Sequence, residues 1–379
     1  MSNIIKSLVH YDTADSTENR ICHLPAYTKT NYIFDCFKKI GLKNEVLSAS
    51  PTKGNKFVKG SIKKLDENLL LEKLPCFGRG NVFKNKFASL IFRITLLLRI
   101  LFFVEKNDTL WVYHSLGLIA PIKILKKIKK FKLILEMEEI YGDVRESEKI
   151  SGKEEKFSKL ADAFIFPTAE LNNKINKENK PVAISHGTYK VNKSTTKKFN
   201  DGKKHIVYSG TLDPRKGGVY AAIKAAEYLP EEYYMHILGT GTEENIKLVK
   251  KSIEETKGKS LCEISYDGVL RDEKYTDFLQ ACDIGLSTQN PSAKFNETSF
   301  PSKILAYMSS GLRVVSSKVS VVKNSKVGNF VYYYDEQTPE NIAKAIMSID
   351  LNDSYDGKSV IEKLDENFIN DLKCLLEKI

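Results

Sequence analysis

Short runs of apolar and β-branched residues alternate along nearly the whole chain with longer stretches whose apolar positions recur every three or four residues. Before residue 200 the strand-like runs are Ile4–Val9, Asn44–Ser48, Thr109–His114, Lys132–Met137 and Ala163–Pro167. After it they are His205–Ser209, Tyr234–Leu238, Leu261–Tyr266, Ile284–Thr288, Arg313–Ser316 and Phe330–Tyr333. Strands that alternate with helices at this spacing predict parallel sheets covered by helices on both faces. The rhythm occurs twice, which predicts an α/β chain of two Rossmann-like domains, residues 1–196 and 203–350. Between them, Tyr189 to Lys204 is polar and dense in Lys, Ser, Thr and Asn, and reads as a linker. Helical patterns at Pro339–Ile349 and Val360–Ile379 follow the last strand, and the terminal helix 360–379 is free to cross back onto the first domain.

One segment stands apart. Phe87 to Val104 is apolar except for Ser89, Arg93, Thr95 and Arg99. It is barely long enough to span a bilayer, and an arginine near its middle would cost several kcal/mol there. It reads first as a buried or half-buried helix of the first domain, and second as a basic amphipathic surface resting on a membrane. Lys84, Lys86 and the run from Lys123 to Lys130 support the second reading.

Charge sharpens the contrast between the halves. Residues 1–200 hold 36 Lys+Arg against 21 Asp+Glu, and residues 201–379 hold 23 against 27. A basic first half invites nucleic acid, an anionic membrane or an anionic substrate. No helix-turn-helix, zinc finger or RNP-type aromatic signature accompanies the lysines, so nucleic acid is not expected. The six cysteines are scattered without CxxC pairs or histidines at zinc spacing, which reads as reduced thiols and no structural metal. Met1 to His10 lacks the apolar core of a signal peptide, and a cytoplasmic protein is expected.

The candidate chemistry lies mostly in the second half. The strand His205–Ser209 runs into Gly210-Thr211-Leu212-Asp213-Pro214-Arg215-Lys216-Gly217-Gly218 and then a helix over Val219–Tyr228. A glycine-bearing loop between strand and helix places backbone N–H groups and a positive helix end at the C-terminal edge of a sheet, where anions bind. Arg215 and Lys216 would meet a diphosphate there. A second glycine turn, Gly239-Thr240-Gly241, follows the next strand at the same edge. The most specific stretch runs from Asn296 through Glu297-Thr298-Ser299-Phe300-Pro301-Ser302-Lys303 into a helix ending at Gly311, followed by a β-branched strand.

This last block resembles the donor-binding helix of the retaining group 1 glycosyltransferases of GT-B fold, in which two Rossmann-like domains face one another across a cleft. The Gly210–Gly218 block resembles the same family's phosphate loop, and Tyr266-Asp267-Gly268-Val269-Leu270 its nucleobase-contacting loop; the three keep family order across residues 205–316. The resemblance implies that Lys216 neutralises the donor diphosphate, with Gly210, Thr211, Arg215, Gly239 and Gly241 around it. Val269 and Leu270 would hold the base. Thr298, Ser299, Phe300, Pro301, Ser302 and Lys303 would receive the distal phosphate or the sugar, with Glu297 contacting sugar hydroxyls. In the first half the likeness is one of rhythm. There His114 resembles a histidine placed beside the transferred sugar, and Glu138, within Glu136–Glu139, is the acceptor-side candidate. Three departures stand out. Thr298 and Ala306 occupy the positions where the family carries two glutamates eight apart, Thr211 replaces a frequent arginine, and Asp12–Asn19 fills the place of a glycine pair.

The expectation is a metal-independent, retaining hexosyltransferase without cofactor. It would pass a sugar from a nucleotide-sugar, by default a UDP-sugar, to a glycan or lipid-linked acceptor in capsule, O-antigen or exopolysaccharide synthesis, with peripheral contact to the inner face of the plasma membrane. Two rivals remain: a catalytically silent nucleotide-sugar-binding partner subunit, favoured by the missing glutamate, and a nucleotide-sugar epimerase, which would want further acid and base groups.

Overall fold

The computed structural model describes residues 3–11, 19–191, 197–214 and 217–379. Packing divides the chain into two units, one of Met1–Ser185 with Asn367–Ile379 and one of His186–Glu366.

In the first unit the elements run β1 (Ile4–Val9), α1 (Leu24–Lys39), β2 (Lys43–Ser48), β3 (Ser61–Asp66), β4 (Leu69–Lys73) and α2 (Val82–Phe103). They continue with β5 (Thr109–Tyr113), α3 (Ile119–Ile128), β6 (Lys132–Glu136), α4 (Tyr141–Val144), α5 (Glu148–Ser158), β7 (Ala163–Phe166), α6 (Ala169–Ile175) and β8 (Val182–Ile184). The sheet order is β3-β4-β2-β1-β5-β6-β7-β8. Only β3 pairs antiparallel among the described strands, and it does so with β4. Strands β5, β6 and β7 are largely apolar on both faces, as helices above and below require; every residue of β7 is buried. The β3–β4 hairpin escaped the sequence pattern because β3 is a polar edge strand, exposed along nearly its whole length.

Helix α2 begins five residues before the apolar run that announced it, because Asn81 caps it by accepting from the Lys84 N–H at 2.9 Å. Of its residues only Ala88, Leu96, Ile100 and Phe103 are buried. The helix is thus half-buried, within the first of the two readings: a seam enters the core with Phe92 and Leu101 packed beside it, while Phe87, Leu90, Ile94, Leu98 and Phe102 face outward. No described helix is long and apolar enough to cross a membrane.

The second unit runs β9 (Lys204–Thr211), α7 (Gly218–Ala225), β10 (Tyr233–Thr240), α8 (Glu243–Lys257), β11 (Glu263–Gly268) and α9 (Asp272–Ala281). It continues with β12 (Ile284–Ser287), α10 (Lys303–Ser309), β13 (Arg313–Ser317), α11 (Ser320–Lys323), β14 (Val331–Tyr334) and α12 (Pro339–Met347). The final helix α13 (Gly357–Glu377) starts in this unit and ends in the first. All described pairs of this sheet are parallel, in the order β11-β10-β9-β12-β13-β14. Successive crossovers thus run outward from β9 in one direction and then from β12 in the other, and the direction reverses between these neighbours. In open α/β sheets that reversal leaves a crevice at the carboxyl ends of the strands.

The units divide between Ser185 and His186, a few residues ahead of the polar stretch read as the linker. Tyr189, the first residue of that stretch, is buried, and its hydroxyl accepts from the His186 N–H at 2.8 Å.

Candidate functional site

The reversal between β9 and β12 brings two strand-to-helix connections to one edge of the second sheet. β9 ends on Gly210 and Thr211 and leads to α7, whose first residue, Gly218, accepts from the Thr288 hydroxyl at 2.7 Å. β12 leads through Thr288 and Asn296–Ser302 into α10. That helix closes at Gly311, whose φ of 86° suits a residue without a side chain; the N–H of Leu312 reaches back to the Tyr307 carbonyl at 3.0 Å. Tyr307 fixes α10 to both strands, its hydroxyl accepting from Ser209 N–H at 2.9 Å and donating to the Leu286 carbonyl at 3.2 Å. Next along the edge, Gly239 pairs with Gly210, and a Cβ at 239 would stand 2.0 Å from the Gly210 carbonyl oxygen, so no larger residue fits.

Lys303, the first residue of α10, brings a positive charge to this edge. Its Nζ lies 4.3 Å from the centroid of the Tyr208 ring and 3.0 Å from where a Cβ on Gly210 would be. No carboxylate pairs with it among the described residues, and burial lowers its ammonium to about 8. A cation held this way, over an aromatic face and against a glycine, lacks an anion. Close by in sequence, the Ser299 hydroxyl is buried without a hydrogen-bond partner. Thr298 and Phe300 are buried, Glu297 is exposed, and Phe300 stacks on His186 at 4.6 Å between centroids.

The first unit holds a second group of polar side chains at the carboxyl ends of β5 and β6. His114 is only 3% exposed, and its Nε2 lies 2.7 Å from Glu154 Oε1. Glu154 also accepts from the N–H groups of Tyr141 and Gly142, so it acts as acceptor for His114 Nε2–H as well, and Nδ1 is left buried without a partner among the described residues. Beside β6, Lys29 Nζ lies 3.7 Å from Glu136 and 3.5 Å from Glu138, and donates to the Ser185 hydroxyl at 2.8 Å. Glu136 accepts from Trp111 Nε1 at 2.9 Å. Burial pushes its carboxyl well above the ordinary range, Lys29 opposing.

Comparison with known proteins now fits this geometry. Residues 203–350 match the family model of glycosyl transferases group 1. The second unit is a group 1 glycosyltransferase domain. The whole two-unit fold matches solved GT-B structures. A trehalose-6-phosphate structure from E. coli bound with UDP-2-fluoro glucose aligns at TM-score 0.69 and 11% identity, covering 98% of each chain. A UDP-forming trehalose-phosphate synthase from Burkholderia xenovorans aligns at 0.66 and 12%, covering 100% of this chain and 99% of that one. The sucrose-phosphate synthase of Thermosynechococcus elongatus aligns at 0.65 and 12%, covering 98% and 94%. None of the curated proteins matches the chain in sequence.

Within the group 1 domain, the residues singled out in sequence occupy the sheet edge to different degrees. Gly210, Gly239 and Gly241 are half-buried there, Thr211 is exposed, and Val269 and Leu270 follow β11 as exposed and half-buried residues. Thr298 to Lys303 lie on the approach to α10 and its first turn. That helix starts at Lys303, two residues after the proline expected to open it. Arg215 and Lys216 lie outside the described residues. His114 and Glu138 belong to the first unit. Glu138 is half-buried beside Lys29, whereas His114 is enclosed by Glu154, Tyr141 and Phe157. Sequence reading missed Tyr307, Lys29, Glu136 and Glu154. Each is ordinary in its own segment and gains meaning only from a partner at least 40 residues away or on another strand.

Proposed function

We propose that this group 1 domain binds a nucleotide-sugar, most readily a UDP-sugar, and transfers its hexosyl group with retention to a glycan or lipid-linked acceptor. The observation that carries this reading is Lys303, a half-buried cation without an acidic partner among the described residues at the sheet edge where two strand-to-helix connections meet. A leaving nucleoside diphosphate supplies the missing charge, and a fixed cation stabilises it without a metal. Lys216, by its place in the family pattern, adds a second positive charge, and the orphan hydroxyl of Ser299 suits a phosphate or sugar oxygen. The choice of UDP is supported by two of the similar structures, one bound with UDP-2-fluoro glucose and one described as UDP-forming. Attack by the acceptor hydroxyl on the face from which the phosphate departs accounts for retention without a carboxylate nucleophile. The basic first half suits an anionic, lipid-linked acceptor of surface-polysaccharide synthesis on an inner leaflet.

The test is a thermal-shift comparison of UDP, GDP and ADP on the intact protein and on Lys303→Ala. At a hundredfold its dissociation constant, a ligand adds about 2.7 kcal/mol. The expected result is a shift with UDP that Lys303→Ala largely removes; no shift with any nucleotide overturns the reading. A silent donor-binding subunit is favoured by one observation, Ala306 in place of the family's second glutamate. UDP-sugar binding without turnover across a panel of acceptors would select it.

A further inference from the structure

The first unit has a recess that the donor chemistry does not use. A groove of about 660 Å³ opens between α2, the start of α3 and α5. Ile94, Leu97, Leu116 and Ile124 make its floor apolar. Around it stand Arg93, Lys123, Lys153 and Lys156, none ion-paired to a carboxylate among the described residues. Helices α2 and α3 contain no Asp or Glu, so this side of the groove carries positive charge alone. The floor is open to solvent, Ile94 being 50% and Ile124 41% exposed, and the apolar stripe continues along α2 through Phe87, Leu90 and Leu98.

Each half of this surface excludes a simple occupant. An inorganic anion would meet the cations and leave the floor wet; a neutral hydrocarbon would cover the floor and leave the basic rim without a counter-charge. A flat bilayer touches protruding side chains rather than filling a recess. The occupant that satisfies both is an amphiphile with a hydrocarbon chain and a phosphate head. The groove also adjoins the polar cluster of the same unit: α5 supplies Lys153 to the groove and, one residue on, Glu154 to His114.

We infer that this groove binds a single-chain lipid phosphate, the chain on the floor between α2 and α3 and the phosphate among Arg93, Lys123, Lys153 and Lys156. Its consequence, that the acceptor is a lipid-phosphate-linked one, rests on the transferase reading; the binding itself does not.

Calorimetric titration of the intact protein with farnesyl phosphate, below its micelle concentration, tests this against farnesol, inorganic phosphate and phosphatidylglycerol vesicles. Farnesyl phosphate is expected to bind at least about tenfold more tightly than farnesol or inorganic phosphate. The Lys153→Glu/Lys156→Glu double variant is expected to weaken it by about tenfold or more with an unchanged melting temperature. Lys123→Glu, on a different helix, should act in the same direction. Equal binding of farnesol, equal binding of inorganic phosphate, or indifference to both charge reversals overturns the inference. So does charge-sensitive binding to the vesicles without binding of free farnesyl phosphate, which would assign the surface to a bilayer. Farnesyl phosphate binding without a UDP shift keeps this inference and removes the transferase reading; a UDP shift without farnesyl phosphate binding does the reverse.

Discussion

Lys303 shows how one side chain is tuned by what surrounds it. Burial against Tyr208 and Gly210 holds its ammonium at about 8 rather than the ordinary 10.5. Because the folded state releases this proton before the unfolded chain does, the ligand-free protein gains stability from this group as pH rises from about 8 to 10.5, and carries the cost of a buried charge below 8. Lys303→Met should therefore raise the ligand-free melting temperature at pH 7 and flatten its pH dependence across that window, as paired melts of the two proteins would register. A bound diphosphate favours the charged lysine, so the sign for binding is opposite. UDP affinity, measured by titration at pH 7 to 9.5, should fall as pH passes about 8, and the fall should vanish in Lys303→Met.

At the scale of elements, α10 owes its position to Tyr307 more than to its own length. The Tyr307 hydroxyl ties the helix to β9 and β12 and takes up the buried Ser209 N–H. Removing it with Tyr307→Phe leaves that donor without its acceptor, at a cost of about 1–3 kcal/mol. The expected outcome is a lower melting temperature together with weaker UDP binding, since the segment from Ser299 to Lys303 leads directly into this helix. Loss of stability at unchanged UDP affinity would separate the tyrosine from the site. Helix α2 makes the complementary point, because its cap and apolar run explain why it is helical while its exposed stripe follows from how little of it meets the sheet.

At the scale of the whole molecule, the chain's last residues complete its first unit. Phe368 on α13 is buried and its ring stacks on Tyr32 of α1 at 5.8 Å between centroids, and Leu372 and Leu375 follow it into burial at helical spacing. Phe368→Ala should cost the first unit about 3–5 kcal/mol. Calorimetry with and without UDP checks this: the transition that UDP protects should keep its midpoint while the other moves down. If both move together, the two units unfold as one cooperative block and the terminal helix stabilises more than the first unit.

The sequence by itself determined the repeated strand–helix rhythm, the α/β class, the order of the donor-side segments and the chemistry available in them. These follow from local physics: period-two and period-3.6 burial, caps such as Asn81, and glycines where backbones approach, as at Gly239. It did not reveal the polar edge hairpin β3–β4 or the three-residue β8, which are too exposed or too short to leave a period. Only the tertiary structure decided which residues meet. Lys303 meets the ring of Tyr208 on β9, Glu154 reaches His114 across 40 residues, and three helices without a common motif line one groove. Contacts of this kind are set by strand order and helix packing, whose energies belong to pairs of distant segments, so no single stretch of sequence carries their signal.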